Sequence, residues 1–197
     1  MRMHHHGRAS ALGLFEHADR YDDVASRLVR PLYERVAADV AAAGLAPGAR
    51  VLDAGTGPGR VPILIAQALP GLRVDGLDLS TAMVERAGEN ARAAGLGGRV
   101  TFTAGDVADL PYPDATFDLV VSSISQHHWP DAHAGMRELR RVLRPDGRAW
   151  IYDFRFSLRR AEAAARAAFP GRPVRREALR GGPLRLRLAG RVVVGPA

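Results

Sequence analysis

The sequence predicts an α/β fold in which helices cover both faces of a doubly wound, mostly parallel sheet that ends in an antiparallel strand pair. Between residues 50 and 154, short apolar segments alternate with helix-like segments, a pattern typical of parallel sheets. The first apolar segment runs directly into the glycine-rich turn 55–59. After residue 183, leucine alternates with arginine, which indicates a strand with one buried face.

The first predicted element is helical and covers most of residues 11–43. Its apolar side chains recur every four residues and form one stripe: Leu28, Leu32, Val36 and Val40. Pro31 should divide this helix, because proline removes a backbone hydrogen bond and clashes with the preceding turn. The glycines and proline within residues 44–48 then end the helical segment before the first strand.

Strands and helices alternate along the next hundred residues. Strands are predicted at residues 50–54, 73–77, 100–104, 117–122 and 148–154. Helices are predicted at residues 61–69, 81–94, 132–143 and 158–169. Ser80 is suited to cap the second of these helices. Residues 174–179 are expected to pair, through Gly181-Gly182-Pro183, with the strand that contains Leu184, Leu186 and Leu188.

Composition limits the chemistry. A chain of 197 residues with 47% hydrophobic content fits one domain with its own core. The absence of cysteine excludes disulfides, cysteine zinc sites, iron–sulfur clusters and a cysteine nucleophile. No segment approaches the roughly 18 apolar residues of a membrane span, and no signal-peptide stretch is present, so a cytoplasmic location is expected by default.

The net charge of +7 is concentrated toward the C-terminal end. Residues 151–197 contain 11 arginines and three acids, whereas residues 1–150 are nearly balanced. Such a basic segment suits contact with nucleic acid or with an anionic substrate, although a solvated surface is the simpler interpretation.

The main candidate for chemistry is VLDAGTGPGR, residues 51–60, followed by VDGLDLS, residues 74–80. Glycines let the backbone approach a ligand, and a helix N-terminus presents amides to it. Asp78 follows Gly57 by 21 residues, a separation at which an acid binds ribose hydroxyls. The sequence therefore predicts a site for an adenosine-containing cofactor. A dinucleotide is disfavoured, because Arg60 stands where its fingerprint needs glycine or alanine.

The motif DAGTGPG, residues 53–59, resembles the first motif of the class I S-adenosylmethionine-dependent methyltransferases. The similarity continues through AGDVADLPYPDATFDLVVSS, residues 104–123, and RELRRVLRPDGRAWIYDF, residues 137–154. The best match is the small-molecule branch that includes quinone-biosynthesis-like enzymes. The resemblance implies a Rossmann-like fold, S-adenosyl-L-methionine as cofactor, a small-molecule methyl acceptor, and a single methyltransferase domain over residues 1–197.

The resemblance also implies a role for the N-terminal segment. Residues 1–45 would form a helical lid over the acceptor, and this lid would include Phe15, His17 and Tyr21. The alternative is that these residues simply pack against the sheet as part of the core.

At the methionine end of the cofactor, the resemblance implies contacts with the turn and with the fourth strand. The backbone would pass close to the ligand at three glycines: Gly55, Gly57 and Gly59. Asp53 would help to shape this turn, or alternatively would only cap it. Ser122 and Ser123, at the end of the fourth strand, would border the sulfonium.

At the nucleoside end, the resemblance implies contacts from the second and third strands. Asp78 would accept hydrogen bonds from both ribose hydroxyls, and Leu79 would lie against the adenine. Asp106 would accept a hydrogen bond from the adenine amino group, with Val107 beside the ring. The alternative for Asp106 is an ordinary loop acid.

Methyl transfer requires the protein mainly to position the acceptor and exclude water. An acceptor hydroxyl or ammonium also needs a base. His127, His128 and His133 lie in or near the loop after the fourth strand, and we rank His128 above His127 as the catalytic residue. A structural role for these histidines is the alternative. His127, His128 and Asp131 match no standard ligand spacing, so no metal is predicted.

Two other functions stay open. An RNA or DNA methyltransferase is favoured by the arginine-rich end, but residues 122–125 lack the Asp/Asn-Pro-Pro-aromatic motif usual in amino-directed nucleic-acid enzymes. A protein that binds the cofactor without transferring methyl is also consistent, because cofactor motifs alone do not prove turnover. No pattern in the sequence specifies an oligomeric state.

Overall fold

The computed structural model describes residues 18–179 and 188–196. These residues form a seven-stranded sheet between two layers of helices. The strands are β1 (Arg50–Ala54), β2 (Arg73–Asp78), β3 (Val100–Ala104), β4 (Phe117–Ser123), β5 (Leu143–Phe154), β6 (Val174–Ala178) and β7 (Ala189–Val194). The helices are α1 (Ala18–Ala41), α2 (Arg60–Ala68), α3 (Thr81–Ala93), α4 (Ala132–Val142) and α5 (Leu158–Ala168).

The strand order is β3-β2-β1-β4-β5-β7-β6. The first five strands in this order are parallel, and β7 runs antiparallel to both β5 and β6. The predicted parallel sheet with an antiparallel C-terminal pair is therefore confirmed. The strand order reverses between β1 and β4, so a crevice is expected at the carboxyl ends of these two strands.

All nine strands and helices predicted between residues 50 and 169 are present, and most of their ends agree within one residue. Ser80 caps α3 as expected, because its hydroxyl accepts a hydrogen bond from the Met83 amide at 3.4 Å. The exception is β5, which begins at Leu143 rather than at residue 148. Phe117 pairs with Leu143 but Leu119 pairs with Arg148, so the Pro-Asp-Gly segment forms an irregularity within the strand.

Pro31 does not divide α1, and that prediction is wrong. The helix is continuous over 24 residues with Pro31 inside it. Leu32, Val36 and Val40, which follow the proline, are at most 4% exposed, and burying such a side chain contributes about 1.5–3 kcal/mol. The three together outweigh the roughly 3 kcal/mol that a proline costs inside a helix.

The last strand begins later than predicted. Leu184, Leu186 and the Gly181-Gly182-Pro183 connection lie outside the described residues. Leu188 precedes β7 and is 63% exposed, so the expectation that it faces the core is wrong. Val192 and Val194 form the buried face instead, because the alternation of buried and partly exposed residues begins within β7, after Ala189.

Helices cover both faces of the sheet, as a doubly wound fold requires. One core lies under α4 and α5 and includes Met136 and Leu158. The other lies under α1 and α2 and includes Val36 and Ile65. Within the described part of the chain, no helix combines the length and apolarity needed to cross a membrane.

A polar cluster fixes the C-terminal half of α1 to the sheet. The Asp39 carboxylate accepts hydrogen bonds from the Tyr152 hydroxyl at 2.9 Å, the Arg191 guanidinium at 2.9 Å and the Arg35 guanidinium at 2.8 Å. Burial, followed by the Asp39 charge, raises the pKa of Tyr152, so its hydroxyl remains a donor. This half of α1 is therefore part of the core framework.

Two glycines form a matched pair for testing the packing of β7. A Cβ on Gly190 would lie 2.7 Å from the Glu177 carbonyl oxygen and 2.7 Å from Leu158 Cδ1, so Gly190→Ala should lower the free energy of unfolding by about 1–3 kcal/mol. A Cβ on Gly88, in α3, would be 3.5 Å from the nearest atom, in Arg92. Gly88→Ala should therefore raise this free energy by about 0.5–1 kcal/mol.

Urea denaturation of the two variants measures both effects. An unchanged or raised free energy of unfolding in Gly190→Ala would contradict the close packing of β7 against β6 and α5.

Candidate functional site

The candidate site lies where the carboxyl ends of β1, β2 and β4 meet. These strands are adjacent and parallel, with Asp53 opposite Gly76 of β2 and Val121 of β4. The glycine turn 55–59 follows β1, and Asp78 is the last residue of β2. In open α/β sheets, ligands bind outside the carboxyl ends at the point where the strand order reverses.

The Asp78 carboxylate joins the end of β2 to the glycine turn. Its Oδ2 accepts a hydrogen bond from the Gly57 amide at 2.7 Å, and its Oδ1 accepts one from the Ser80 amide at 3.0 Å. Burial raises the pKa of Asp78, although these backbone donors oppose the shift. The acid and the turn that the sequence paired are thus in direct contact, and the carboxylate, which can accept about four hydrogen bonds, retains acceptor capacity for a ligand.

The glycines of the turn have different surroundings. A Cβ on Gly55 would overlap the Ser125 hydroxyl, so only glycine fits against the loop after β4. Ile124, before Ser125, adopts a left-handed φ of 52°, and such strained backbone is typical of functional sites. A Cβ on Gly57, where φ is 53°, would meet no atom within 4 Å, so this residue faces open space. Gly59 precedes α2 as its N-cap.

Asp53 is buried at the end of β1. Its Oδ2 accepts a hydrogen bond from the Thr56 hydroxyl at 2.9 Å, which caps the turn. Its Oδ1 is also buried and has no hydrogen-bond partner among the described residues. Burial raises the pKa of Asp53 to about 7; the Thr56 hydrogen bond opposes this shift and the Asp78 charge adds to it.

Residues at the ends of β2 and β3 offer an exposed apolar side chain and an exposed acid. Leu79 follows Asp78 and is 69% exposed. Asp106 is exposed, and its Oδ1 accepts a hydrogen bond from the Ala108 amide at 2.9 Å. Val107, in contrast, is buried in the core beside Trp129. Of the predicted adenine contacts, the structure therefore leaves Leu79 and Asp106 accessible and turns the Val107 side chain inward.

The end of β4 contains buried polar atoms that the protein does not satisfy. Ser122 and Ser123 are both buried, and the Ser122 hydroxyl has no partner among the described residues. Gln126, in the short 3-10 turn Gln126–His128, is fully buried, and both its amide atoms lack a partner in the same part of the chain. An unsatisfied buried group costs about 1–3 kcal/mol, so these atoms are candidates for ligand contacts.

His127 forms a dyad with Asp153, the penultimate residue of β5. Its Nδ1 lies 2.9 Å from Asp153 Oδ1, and its backbone amide donates to Oδ2 at 3.0 Å. Asp153 is fully buried and also accepts from the Phe154 amide at 2.7 Å. Because a carboxylate only accepts, we assign the His127 proton to Nδ1, which leaves Nε2 as an acceptor.

The other two histidines have different positions. His128 is exposed, its ring centroid lies 3.9 Å from that of His127, and its pKa is lowered by burial and then by His127, against the effect of Asp153. His133 lies in the first turn of α4, where its amide is capped by Asp131 at 2.8 Å. The geometry therefore favours His127 over His128 as a base, the reverse of the ranking from sequence.

Sequence reasoning missed Asp153 and Gln126. Asp153 is 26 residues from His127, and only the pairing of β5 with β4 brings it beside the loop. The available signal for Asp153 was its position near the end of a predicted parallel strand, which would lie next to the histidine-rich loop. Nothing in the sequence distinguished Gln126 from other loop residues.

Part of the chain is similar to known methyltransferases. Residues 51–147 match the family model for the methyltransferase domain. The 27-O-demethylrifamycin SV methyltransferase of Amycolatopsis mediterranei is 44% identical over 115 residues, which are 57% of this chain and 42% of that protein. The 2-phytyl-1,4-naphtoquinone methyltransferase of Synechococcus elongatus is 36% identical over 146 residues, 72% of this chain and 62% of that protein. This chain thus spans less than two thirds of either relative.

Solved structures show the same fold. A SAM-dependent methyltransferase from Aquifex aeolicus superposes with a TM-score of 0.73 at 23% identity, over 91% of this chain and 97% of that chain. The YcgJ protein of Bacillus subtilis gives a TM-score of 0.56 at 32% identity, over 60% and 50% of the two chains. The predicted Rossmann-like architecture is therefore confirmed.

The position of Asp53 predicts a pH dependence of stability. Because its pKa rises from 3.8 in the unfolded chain to about 7 in the folded protein, the folded state binds the extra proton within this window. The Asp53 contribution to the free energy of unfolding should therefore fall as the pH rises from about 4 to 7. Asp53→Asn keeps an acceptor for Thr56 but does not ionise, so the variant should lack this contribution.

Denaturation curves of wild type and variant across that pH range measure the difference. Asp109→Asn, at an exposed acid, is the control and should follow the wild type. If the free energies of unfolding of wild type and Asp53→Asn changed in the same way with pH, this result would contradict the burial of an ionisable Asp53.

Proposed function

Because residues 51–147 belong to the S-adenosylmethionine-dependent methyltransferases, we propose that this protein transfers a methyl group from that cofactor to a small-molecule acceptor. The observation that carries the proposal is the contact between Asp78 and the Gly57 amide, which joins an acid to an open glycine turn. Relatives named for a demethylrifamycin and a naphthoquinone support a small-molecule acceptor over nucleic acid. A cytoplasmic location is part of the proposal.

The groups at the ends of β2 and β3 fit the nucleoside of the cofactor. The Asp78 carboxylate would accept hydrogen bonds from the ribose hydroxyls with the lone pairs that its backbone donors leave free. Leu79 would lie against the adenine, and Asp106 would accept from the adenine amino group. Val107 would contribute to this side of the site mainly through its backbone, since its side chain is buried.

The groups at the ends of β1 and β4 fit the methionine part. Gly57 would face it across open space, while Gly55 and Gly59 hold the turn in place. The unpartnered atoms Asp53 Oδ1 and Ser122 Oγ would find polar partners there, with Ser123 beside them. When bound, the cofactor supplies a methyl group on positively charged sulfur, which an acceptor atom can displace.

His127 would act as the base for an acceptor that loses a proton. Its Nε2 would take the proton from the acceptor oxygen or nitrogen as that atom bonds to the methyl carbon. Asp153 fixes the tautomer and the ring orientation, and stabilises the imidazolium that forms. His128, whose ring lies against that of His127 at a tilt of 43°, would shield this ring from water.

The lid role of residues 1–45 is also part of the proposal. The second half of α1 is anchored through Asp39, so any opening would involve the segment before Pro31. Phe15 and His17 lie outside the described residues.

The ribose assignment predicts a loss of cofactor affinity in Asp78→Asn. The substitution removes the charge and one acceptor, so the Kd for S-adenosylmethionine should rise at least about tenfold. Calorimetric titration measures this, and Asp146→Asn serves as the control, because it removes an exposed acid near the amino end of β5, away from the carboxyl ends of the strands. An unchanged Kd in Asp78→Asn would overturn the assignment.

The base assignment predicts that His127→Gln lowers kcat about 10²–10⁴-fold, the usual contribution of a general base. Asp153→Asn should lower kcat similarly, because the imidazole loses the carboxylate that orients it. Both variants should bind the cofactor within twofold of wild type. Transfer of labelled methyl to a metabolite extract, followed by mass spectrometry, supplies the acceptor for this assay.

The exposed His133→Gln is the matched control and should keep the wild-type rate. A His127→Gln protein that also keeps this rate would remove the base assignment. Salt-dependent binding to RNA would favour the nucleic-acid alternative, whereas cofactor binding without transfer to any metabolite would favour a binding protein.

A further inference from the structure

A large cleft opens beside the His127–Asp153 dyad, at the carboxyl end of β5. Its volume is about 1010 Å³, enough for a drug-sized molecule. It lies between the end of β5, the start of α5 and the edge strand β6. The residues that matter to the argument are Phe154, Arg155, Phe156, Arg159, Arg176 and Leu188.

One wall of the cleft is a stacked aromatic pair. The Phe154 and Phe156 rings are parallel within 5°, with centroids 5.6 Å apart. Phe156 is 79% exposed, and Leu188, which also lines the cleft, is 63% exposed. Large apolar side chains gathered on a concave surface mark a binding site rather than ordinary surface. A flat ring system is the shape that such a wall accommodates best.

The aromatic wall is continuous with the base. The Phe154 ring centroid lies 5.6 Å from that of His127, so Phe154 borders both the dyad and the cleft. A ring stacked along Phe156 and Phe154 would therefore extend toward His127, where an attached hydroxyl or amine would be deprotonated.

The charge of the cleft is positive. Of its three lining arginines, Arg176 pairs with Glu162 at 3.5 Å. The one acid among the described lining residues, Glu177, is engaged by Arg191 at 2.8 Å. Among residues 29–179 and 188–196, whose side chains the structure describes, none forms an ion pair with Arg155 or Arg159. Two uncompensated guanidinium groups favour a carboxylate or a similar anion, which arginine binds in a bidentate manner.

We propose that this cleft binds the methyl acceptor, and that the acceptor is a planar aromatic molecule carrying a carboxylate or a comparable anionic group. The inference rests on the proposed function and adds the substrate class. The acceptor ring packs against the exposed Phe156, Phe154 lines the cleft between Phe156 and His127, and Arg155 and Arg159 bind the anion.

The test compares 1-hydroxy-2-naphthoic acid with 1-naphthol, which has the same ring system and hydroxyl but no carboxylate. Each is titrated into the full chain by calorimetry in the presence of S-adenosylhomocysteine. The acid should bind wild type at least about tenfold more tightly than the naphthol. Phe156→Ala should weaken both probes by similar factors, since it removes the stacking surface.

The double variant Arg155→Gln/Arg159→Gln should weaken only the acid and bring the two affinities together. Arg73→Gln, at an exposed arginine of β2 on the opposite side of the sheet, is the control and should leave both affinities unchanged. Thermal denaturation confirms that each variant is folded.

Equal affinities of wild type for the two probes, or a double variant that keeps the preference for the acid, would overturn the proposal. So would a single-stranded oligonucleotide that displaces the acid with a steep salt dependence, since the cleft would then serve a polymer. Cofactor affinity, measured separately, distinguishes these results from a failure of the proposed function: loss of probe preference with intact cofactor binding rejects the acceptor class alone.

Discussion

A hydrogen bond between the Gly57 amide and the Asp78 carboxylate connects the two chain segments on which the whole site depends. It holds the turn after β1 against the end of β2, and the same turn contacts the loop after β4 through Gly55 and Ser125. The carboxyl ends of the three parallel strands β1, β2 and β4 therefore lie close together. Each other feature of the site, including the unpartnered Ser122 hydroxyl and the dyad at β5, is positioned relative to this junction.

Most of the fold could be read from the sequence because its boundaries are set locally. Glycine, proline and a capping serine end most of the elements between residues 50 and 169; the start of β5 is the exception, because Leu143 pairs with Phe117 of β4. The errors arose where tertiary contacts decided the outcome. Burial of the stripe after Pro31 kept α1 continuous, and β7 began at Ala189 because Val192 and Val194, not Leu188, met the core.

The site was predictable to the same extent. The glycine turn and Asp78 have a fixed separation along the chain, so their proximity followed from one strand–helix–strand unit. The proximity of His127 and Asp153 could not be predicted in this way, because only the register of β5 against β4 brings Asp153 beside His127. The lack of hydrogen-bond partners for the Gln126 amide among the described residues depends on side chains from several elements at once, and no linear pattern encodes it.

The Asp153 carboxylate accepts hydrogen bonds from both the His127 ring and the Phe154 amide, so the dyad and the wall of the cleft share one attachment point at the end of β5. The Phe154 ring lies 5.6 Å from that of His127, so a change of this side chain would alter the surroundings of the imidazole as well as the shape of the cleft wall. Phe156, two residues further on and exposed, has no such attachment to Asp153 among the described contacts. Directed evolution of new acceptors is therefore best begun at Phe156.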